Sequence, residues 1–300
     1  MKYTVAQETR LGTRRINQDR IGCWSTSACV LMTVADGLGG HPHGEVAATL
    51  AVSLLGAAFE REARPRLADP GGFMARAIAA GHAAILRDAE QRGLSDTPRT
   101  VIVACVVQDG QAYWMHVGDS RLYLIRQGRI VHRTRDHTVV QQLVDEGRIR
   151  EEAIVTHPER NRLLQCLGGY ALPRPDPIAT ARLARNDVVL LCSDGFWNPL
   201  TQRQLAHALT TRELKDAIPE LTALAEQRAG RECDNISVLA MSWAEDEVVA
   251  DAAAPAATDP ERTQVQDFTA TDLDYQRVSD EDIDKAIAEL KAALRKSSTS

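Results

Sequence analysis

The sequence predicts an α+β fold in which helices pack outside two antiparallel β-sheets. Short apolar runs with strand character recur along the chain, and turn residues separate them, most densely in residues 100–134. Stretches with helical periodicity occur as two pairs, in residues 44–93 and 201–229. Sheets and amphipathic helices must each cover an apolar face. Many strands and two helix pairs therefore favour a layered sandwich.

The N-terminal part of this sandwich begins with strands and continues with the first helix pair. Residues 3–9 alternate in the manner of a half-exposed strand. Residues 29–35 form a continuous apolar run, which predicts a buried strand ending at Asp36. Residues 44–62 are rich in Ala and Leu with helical periodicity, and a second helix is predicted from near Gly71 to Gly93.

The remaining elements follow from turn signals and periodicity. Residues 100–134 predict a four-stranded antiparallel meander, because Gly-containing turns separate its apolar runs. Residues 180–195 predict a hairpin with its turn at Asn186 and Asp187. The other predicted elements are a polar, mostly helical segment in residues 137–170, helices in residues 201–210 and 213–229, and a strand that closes the sheet in residues 235–243.

Composition and charge exclude several classes of protein. The chain has 300 residues and 44% hydrophobic content, enough for one large core. Its net charge of −6 argues against nonspecific nucleic-acid binding. No apolar run approaches the roughly 20 residues of a membrane span, and the N-terminus lacks the apolar core of a signal peptide. The six cysteines form no CxxC pair, which predicts reduced thiols in a cytoplasmic protein.

The sequence divides into a domain, residues 1–243, and a C-terminal tail. Residues 244–278 are acidic, rich in Ala, Thr and Pro and without sustained periodicity, which predicts a disordered linker. Residues 279–296 predict an amphipathic helix with Ser279 as its N-cap. We expect its apolar face to dock onto a partner protein, with its own domain and solvent as alternatives. That face carries Ile283, Ile287, Leu290 and Leu294.

Three aspartates stand where apolar strands begin or end. Asp36 and Asp194 each end an apolar run and precede glycine, while Asp234 precedes an apolar run. A charged side chain avoids apolar surroundings unless it is paired or bound to a cation. A single Asp-Gly is usually only a turn. Three such acids on neighbouring strands would instead form an oxygen-ligand site for a hard divalent cation.

A set of short motifs, taken together and in order, carries a family resemblance. The motifs are RRINQDR (14–20), ADGLGGHPHGEVAA (35–48), HVGDSRLYLIRQGRI (116–130), RDHTVVQQL (135–143), LLCSDGF (190–196) and CDNISVL (233–239). Over residues 3–243 the chain resembles the metal-dependent serine/threonine protein phosphatases of the 2C type (the PPM family), especially the bacterial subgroup. The resemblance implies a four-layer αββα sandwich, with two antiparallel sheets flanked by helix pairs. It also implies that residues 137–170 form a flap beside the active site.

The resemblance further implies the ligands of a two-metal centre. Asp36 matches the carboxylate that bridges the two ions, and the backbone carbonyl of Gly37 would bind the second ion. Asp194 and Asp234 match the ligands of the first ion. In bacterial members a third, weaker ion is held by the position of Asp119 together with that of Asp194. Such sparse protein ligation suits Mn²⁺ or Mg²⁺, which keep several waters.

Other matched positions lie around this centre. Arg14 matches the arginine that binds the substrate phosphate, where a guanidinium can contact two oxygens at once. Asp19 matches a catalytic carboxylate that orients metal-bound water from outside the ligand set. The preceding position is often Glu in the family, so Gln18 puts the occupancy of the second metal in question. Asn235 is expected to brace the Asp234 loop.

By resemblance, the chain hydrolyses phosphoserine and phosphothreonine on proteins with a metal-activated water and opposes a serine/threonine kinase. The implied partners are that kinase and its substrates, with no nucleic acid and no membrane. Some eukaryotic members carry His directly after Asp-Gly as general acid, but Leu38 stands there, so no general acid is assigned. Two alternatives stay open. One is a pseudophosphatase scaffold that binds phosphoproteins, and the other is a phosphatase for a phosphoserine on an anti-sigma-factor antagonist.

Overall fold

The computed structural model describes residues 1–245, which contain ten strands and six α-helices. The strands are β1 (Tyr3–Arg10), β2 (Arg20–Ser25), β3 (Cys29–Gly37), β4 (Thr100–Gln108), β5 (Gln111–Val117), β6 (Arg121–Arg126), β7 (Arg129–Arg133), β8 (Ala179–Arg182), β9 (Val188–Cys192) and β10 (Ile236–Trp243). The helices are α1 (Gly44–Glu62), α2 (Pro70–Gln91), α3 (Val139–Asp145), α4 (Asp194–Trp197), α5 (Gln202–Thr211) and α6 (Leu214–Ala229). The predicted C-terminal helix and all but the first two residues of the predicted linker lie outside the described residues.

The strands form two five-stranded antiparallel sheets. Sheet A has the order β1-β10-β9-β6-β7, and sheet B has the order β2-β3-β4-β5-β8. Helices α1 and α2 cover the outer face of sheet B, while α5 and α6 cover that of sheet A. The predicted α+β class with two antiparallel sheets between helix pairs is therefore confirmed. Within residues 1–245, no helix combines the length and the apolar character that crossing a bilayer requires.

Period-two alternation explains why the central strands are apolar throughout. On β3, Val30, Met32 and Val34 pack between the two sheets, while Cys29 and Leu31 pack on the other face with the helices. Successive side chains of a strand point to opposite faces. A strand buried on both faces therefore reads as a continuous apolar run, as β3 does in the sequence.

The face between the sheets turns polar at one end of the sandwich, and this end holds the candidate site. Asp36 follows Val34 by two residues on β3, so it continues the inward face at the point where the apolar core ends. On sheet A, Ser193 follows the inward-facing Leu191 by the same two residues. The ends of several strands thus deliver oxygen-bearing side chains to one mouth of the sandwich.

The predicted meander is wrong in its pairing. Its four strands form two hairpins in different sheets, with β4 and β5 in sheet B and β6 and β7 in sheet A. The chain crosses between the sheets at Gly118, whose φ is +107° and whose added Cβ would lie 2.1 Å from Val101 Cγ1. Only glycine accommodates that backbone and that approach. Hairpin signals mark a turn but do not reveal which sheet each strand joins.

Three other expectations differ from the structure in detail. The hairpin predicted in residues 180–195 does not form, because β8 pairs with β5 in sheet B while β9 lies in sheet A. Strand β10 does not close a sheet but lies inside it, between β1 and β9. The segment of residues 137–170 is mostly irregular, with only α3 and a short 3₁₀ turn at Glu151–Thr156.

Candidate active site

Five aspartates from separate parts of the chain converge at the polar mouth. Asp36 is the last residue but one of β3, Asp194 begins α4, and the other three stand in the loops before β2, β6 and β10. Burial raises the pKa of Asp36 well above its ordinary value, and the remaining four acids raise it further. Such a mutual effect requires close carboxylates with little water between them. The four other acids are Asp19, Asp119, Asp194 and Asp234.

Asp19 is the most deeply enclosed of these acids, with 3% of its surface exposed. The Ser193 hydroxyl donates a 2.8 Å hydrogen bond to Asp19 Oδ2 and receives one from the backbone N–H of Ser237 at 3.0 Å. Burial raises the pKa of Asp19 to about 7, even though the bonds from these two serines oppose the rise. Ser193, itself held by β10, therefore fixes one carboxylate oxygen of Asp19.

Two carboxylate oxygens at the mouth have no hydrogen-bond partner among the described residues. They are Asp19 Oδ1 and Asp194 Oδ1, and both are buried. Burial and Asp234 raise the pKa of Asp194 to about 6. A buried anionic oxygen is costly without a partner, and hard divalent cations bind such oxygens. The donor set, all carboxylate oxygens under mutual repulsion, therefore fits Mn²⁺ or Mg²⁺ better than a soft metal.

A positive side chain stands at the rim of the acidic cluster. Arg14 Nη2 donates a 2.7 Å hydrogen bond to Asp234 Oδ2. The Arg14 side chain is 50% exposed and that of Asp234 is 39% exposed. Asp234 and Asp194 both raise the pKa of Arg14. The second oxygen of Asp234 accepts the backbone N–H of Asn235 at 2.8 Å. The guanidinium thus lies at the exposed edge of the acidic cluster.

Asn235 ties the loops of the site together. Its side-chain oxygen accepts the backbone N–H of Gln18 at 2.8 Å, and its side-chain nitrogen donates to the Leu11 carbonyl at 2.9 Å. Asn235 is 4% exposed, so these bonds are shielded from water. The loop between β1 and β2, which carries Arg14 and Asp19, is thereby joined to the start of β10.

Gly37 and Gln18 occupy the other side of the mouth. An added Cβ on Gly37 would lie 2.4 Å from the backbone of Gly44 at the start of α1, so only glycine fits this approach. The Gln18 amide donates to Glu45 Oε2 at 3.3 Å, and its side chain is only partly exposed. Glu45 is therefore a further acid beside the site, which sequence reasoning did not single out.

The two loop histidines beside Gly37 have different surroundings. His41 Nδ1 lies 2.7 Å from Asp96 Oδ2, and its Nε2 lies 3.2 Å from Arg99 Nη1. Both ring nitrogens are engaged, so His41 braces its loop. His43 Nδ1 lies 3.6 Å from a Glu45 oxygen, and 42% of its side chain is exposed.

A cavity of about 230 Å³ adjoins the acids and includes residues that sequence reasoning missed. Arg160 and Asn161, from the flap segment (residues 137–170), line it together with Arg14, Asp194 and Asp234. Only the resemblance pointed to this segment, and it singled out none of its residues. A larger cavity of about 460 Å³ lies at the β6–β7 turn, at the opposite end of β6 from the acids, and it is lined by Arg203 and His207.

The sequence profile of the protein phosphatase 2C family matches residues 7–227, which include four of the five aspartates, and Asp234 follows the matched range. The chain belongs to this family. Serine/threonine protein phosphatase PstP of Mycobacterium tuberculosis is 36% identical over 244 residues, which make up 80% of this chain and 44% of PstP. This 2C-family chain therefore spans less than half the length of that relative.

Solved structures agree with the family assignment. The S. agalactiae serine/threonine phosphatase superimposes with a TM-score of 0.73 at 31% identity, covering 81% of this chain and 100% of that one. The catalytic domain of PstP, in complex with two manganese ions, superimposes with a TM-score of 0.68 at 29% identity, covering 81% and 99%. The four-layer αββα architecture is thus the one that these 2C-family relatives share.

The raised pKa values predict how the metal-free 2C-family domain responds to pH. Asp19 and Asp194 titrate at about 7 and about 6 in the fold, whereas an unfolded Asp titrates near 4. Between those values the folded state binds more protons, so these acids lower the free energy of unfolding as pH rises from about 4 to 7. The destabilisation is complete above about pH 7.

Thermal melting of chelator-treated protein at several pH values measures this effect. Asp19→Asn is the matched variant, because its side-chain oxygen can still accept the Ser193 hydroxyl. We expect its melting temperature to fall less steeply with rising pH than that of the wild type. Equal slopes for the two proteins would show that Asp19 does not carry the raised pKa.

Proposed function

We propose that the chain is a metal-dependent protein phosphatase acting on phosphoserine and phosphothreonine. The observation that carries the proposal is the set of five converging aspartates, with two partnerless buried oxygens, beside the guanidinium of Arg14. Acids alone would repel a phosphate, whereas acids holding divalent cations attract it. The relatives PstP of Mycobacterium tuberculosis and the S. agalactiae enzyme, both called serine/threonine phosphatases, support this reaction class.

We assign the metal ligands as the resemblance implied. Asp36 would contact both ions, and the Gly37 carbonyl would bind the second. Asp194 and Asp234 would hold the first ion. Asp119 would hold a weaker third ion together with Asp194; burial and the nearby Asp194 raise the pKa of Asp119 well above its ordinary value. Mn²⁺ or Mg²⁺ fits these ligands, and the PstP catalytic domain with two manganese ions favours Mn²⁺.

When bound, divalent cations at these ligands would supply an activated water and neutralise charge on the phosphoryl oxygens. Asp19, whose Oδ2 is held by Ser193, would orient the attacking water with its Oδ1, which has no other partner within residues 1–245. Arg14 binds two oxygens of the substrate phosphate, for which it exchanges its present partner Asp234. Leu38 offers no proton and both nitrogens of His41 are engaged, so a water protonates the leaving serine or threonine oxygen.

The substrate is proposed to be a phosphoprotein segment lying across the cavity. Arg160 and Asn161 line the cavity from the flap segment. The positive charge of Arg160 suits a position beside the phosphate, and the amide of Asn161 suits hydrogen bonds to the peptide backbone. The chain would then oppose a serine/threonine kinase in the cytoplasm, with the kinase and its substrates as partners. The C-terminal residues 279–296 would add docking of a partner protein.

Phosphate release from a phosphothreonine peptide tests the function. We expect turnover with added Mn²⁺ and none after chelation, with partial recovery in Mg²⁺. A protein that binds the peptide in the presence of Mn²⁺ but releases no phosphate would be the phosphoprotein-binding scaffold instead. That outcome would reject the enzyme proposal while leaving the metal site intact.

A separate prediction concerns Arg14. Because a bidentate guanidinium–phosphate contact is a strong charge-assisted pair, Arg14→Ala should raise KM for the phosphopeptide by about tenfold. Neighbouring Arg15 is an exposed arginine on the same loop and serves as the matched control, with KM expected to stay unchanged for Arg15→Ala. Steady-state kinetics and Mn²⁺ calorimetry together check the assignment. Weaker Mn²⁺ binding with an unchanged KM in Arg14→Ala would contradict it.

A further inference from the structure

Two buried histidines meet where the flap segment begins, beside the turn that carries Asp119. The rings of His116 and His137 stack with their centroids 4.5 Å apart and their planes 23° apart. At least nine-tenths of each residue is buried. Neither ring belongs to the metal ligands or the phosphate-binding groups assigned above. Buried imidazoles outside the reacting groups call for another role.

Hydrogen bonds fix where the protons of these rings lie. The backbone N–H of Gly118 donates to His137 Nδ1 at 3.2 Å, so that nitrogen holds a lone pair and Nε2 carries the proton. His116 Nε2 donates to the Arg135 carbonyl at 2.7 Å. His137 Nε2 has no hydrogen-bond partner within residues 1–245, and it lies 3.5 Å from Asp176 Oδ1. The free N–H of His137 therefore faces a carboxylate that stands just beyond the flap segment.

The same three side chains resemble a cation site, but the tautomer opposes that role. His116, His137 and Asp176 each offer one ligand atom, all within 4.8 Å of one another. An ion at His137 Nε2 would require the ring proton to move to Nδ1. The Gly118 N–H already points at Nδ1, so the two hydrogens would collide. The arrangement suits a structural link better than a metal.

The backbone of His137 extends this link in both directions. Its N–H donates to the Gly118 carbonyl at 2.9 Å, which completes a two-bond pairing with the turn before Asp119. Its carbonyl accepts the N–H of Leu164 at 2.8 Å. Leu164 lies a few residues from Arg160, which lines the cavity beside the acids. A single residue thus connects the cavity-lining part of the flap segment with the Asp119 turn.

We propose that His137 is a positioning residue that sets the flap segment against the Gly118–Asp119 turn, so that Arg160 meets a bound phosphoprotein. The kinetic consequence rests on the proposed function, whereas the structural consequence does not. A protein substrate reaches across the flap segment, but a small aryl phosphate needs only the acidic centre. Loss of the contacts made by the two ring nitrogens should therefore weaken turnover of phosphopeptides more than that of para-nitrophenyl phosphate.

The experiment compares two substitutions of His137 in the full chain. His137→Phe keeps the ring but removes both nitrogens, whereas His137→Asn places a carbonyl oxygen near the Nδ1 position, where it can accept the Gly118 N–H. We expect His137→Phe to speed hydrogen exchange at the Gly118 amide and to raise KM for a phosphothreonine peptide by about fivefold or more. Turnover of para-nitrophenyl phosphate should stay within about twofold. His137→Asn should restore both Gly118 protection and the peptide KM.

Control variants distinguish the proposed role of His137 from a general effect of substitution. His132 is an exposed histidine that packs on Trp114, and His132→Phe should change neither readout. If His137→Phe fails to fold, Asp176→Ala replaces it, because Asp176 is exposed and its loss should leave the fold intact. An unchanged rate of hydrogen exchange at Gly118 together with an unchanged peptide KM in Asp176→Ala would then overturn the proposal. Equal losses of turnover on both substrates in His137→Phe would also overturn the proposal. So would one equivalent of Zn²⁺ that binds the wild type but not His137→Phe. A wild type inactive on both substrates would reject the proposed function, while Gly118 exchange would still test the link.

Discussion

Replacing Asp36 with asparagine is expected to abolish phosphatase turnover and, without metal, to stabilise the fold. Asp36 sits at the end of β3 under the influence of four other acids, and burial already raises its pKa well above the ordinary value. A neutral amide of the same shape removes that repulsion. It also removes the proposed bridging ligand, and loss of several kcal/mol of metal stabilisation should lower kcat by at least about 10³-fold.

Two measurements separate these effects. Activity on a phosphothreonine peptide at saturating Mn²⁺ reports the ligand role. Thermal melting reports the repulsion: without metal, relief of about 1 kcal/mol should raise the melting temperature of Asp36→Asn by about 2–4 °C. Added Mn²⁺ should then stabilise the wild type but not the variant.

Asp88→Asn is the matched control, since Asp88 lies on α2 away from the site and pairs with Arg92. It should keep wild-type activity and the wild-type response to Mn²⁺. Retention of activity within about tenfold by Asp36→Asn, with Mn²⁺ saturating, would reject Asp36 as the bridging ligand. A lower melting temperature for the metal-free variant would contradict the repulsion.

The sequence predicted the layers and the acids because both are encoded locally. Helix α1 was expected at residues 44–62 and forms there, since an Ala- and Leu-rich stretch with helical periodicity defines it. The end of β3 at an Asp-Gly pair is likewise visible in one short segment. Strand pairing is not local: β5 and β6 are neighbours in sequence but join different sheets, because a crossing at Gly118 separates them. No hydrophobic pattern within either strand carries that information.

The surroundings of the site were harder to predict for the same reason. Arg160 and Glu45 approach the acids only through the path of the flap segment and the start of α1. Polar residues in an irregular segment carry no periodicity, so nothing in the sequence distinguishes Arg160 from other surface arginines. The contacts of His137 form only where four segments of the chain meet, namely those that carry Gly118, His137, Leu164 and Asp176. They could be recognised only once the turn at Gly118 and the position of Asp176 were known.

Breaking the buried ion pair between Arg121 and Asp136 is expected to cost more stability than any other substitution considered above. Arg121 Nε and Nη2 donate to the two carboxylate oxygens of Asp136 at 2.8 and 2.7 Å, and both side chains are less than a tenth exposed. Burial by itself lowers the pKa of Arg121, but Tyr123 and Asp136 raise it by more, so the pKa lies above its ordinary value. Removing one partner leaves the other charge buried, so Asp136→Ala should lower the free energy of unfolding by about 3–5 kcal/mol.

Urea denaturation followed by fluorescence measures this loss. Trp197 is a suitable probe, because the Arg121 guanidinium lies 3.3 Å from its ring centroid and its indole N–H donates to the Asp119 carbonyl at 3.0 Å. Glu146→Ala removes an exposed partner of Arg148 and is the control; exposed pairs contribute little, so a change of at most about 1 kcal/mol is expected.

A double variant shows whether the penalty comes from the stranded charge or from the lost pair. Arg121→Met with Asp136→Leu replaces both ions by apolar side chains, and buried pairs exchanged in this way often retain stability. We expect the double variant to be more stable than Asp136→Ala. Its phosphatase turnover should nevertheless fall, because Arg121 packs on Trp197, which in turn holds the Asp119 carbonyl. If the double variant is as unstable as the single one, packing around Arg121 and not its uncompensated charge sets the penalty, and the electrostatic explanation fails.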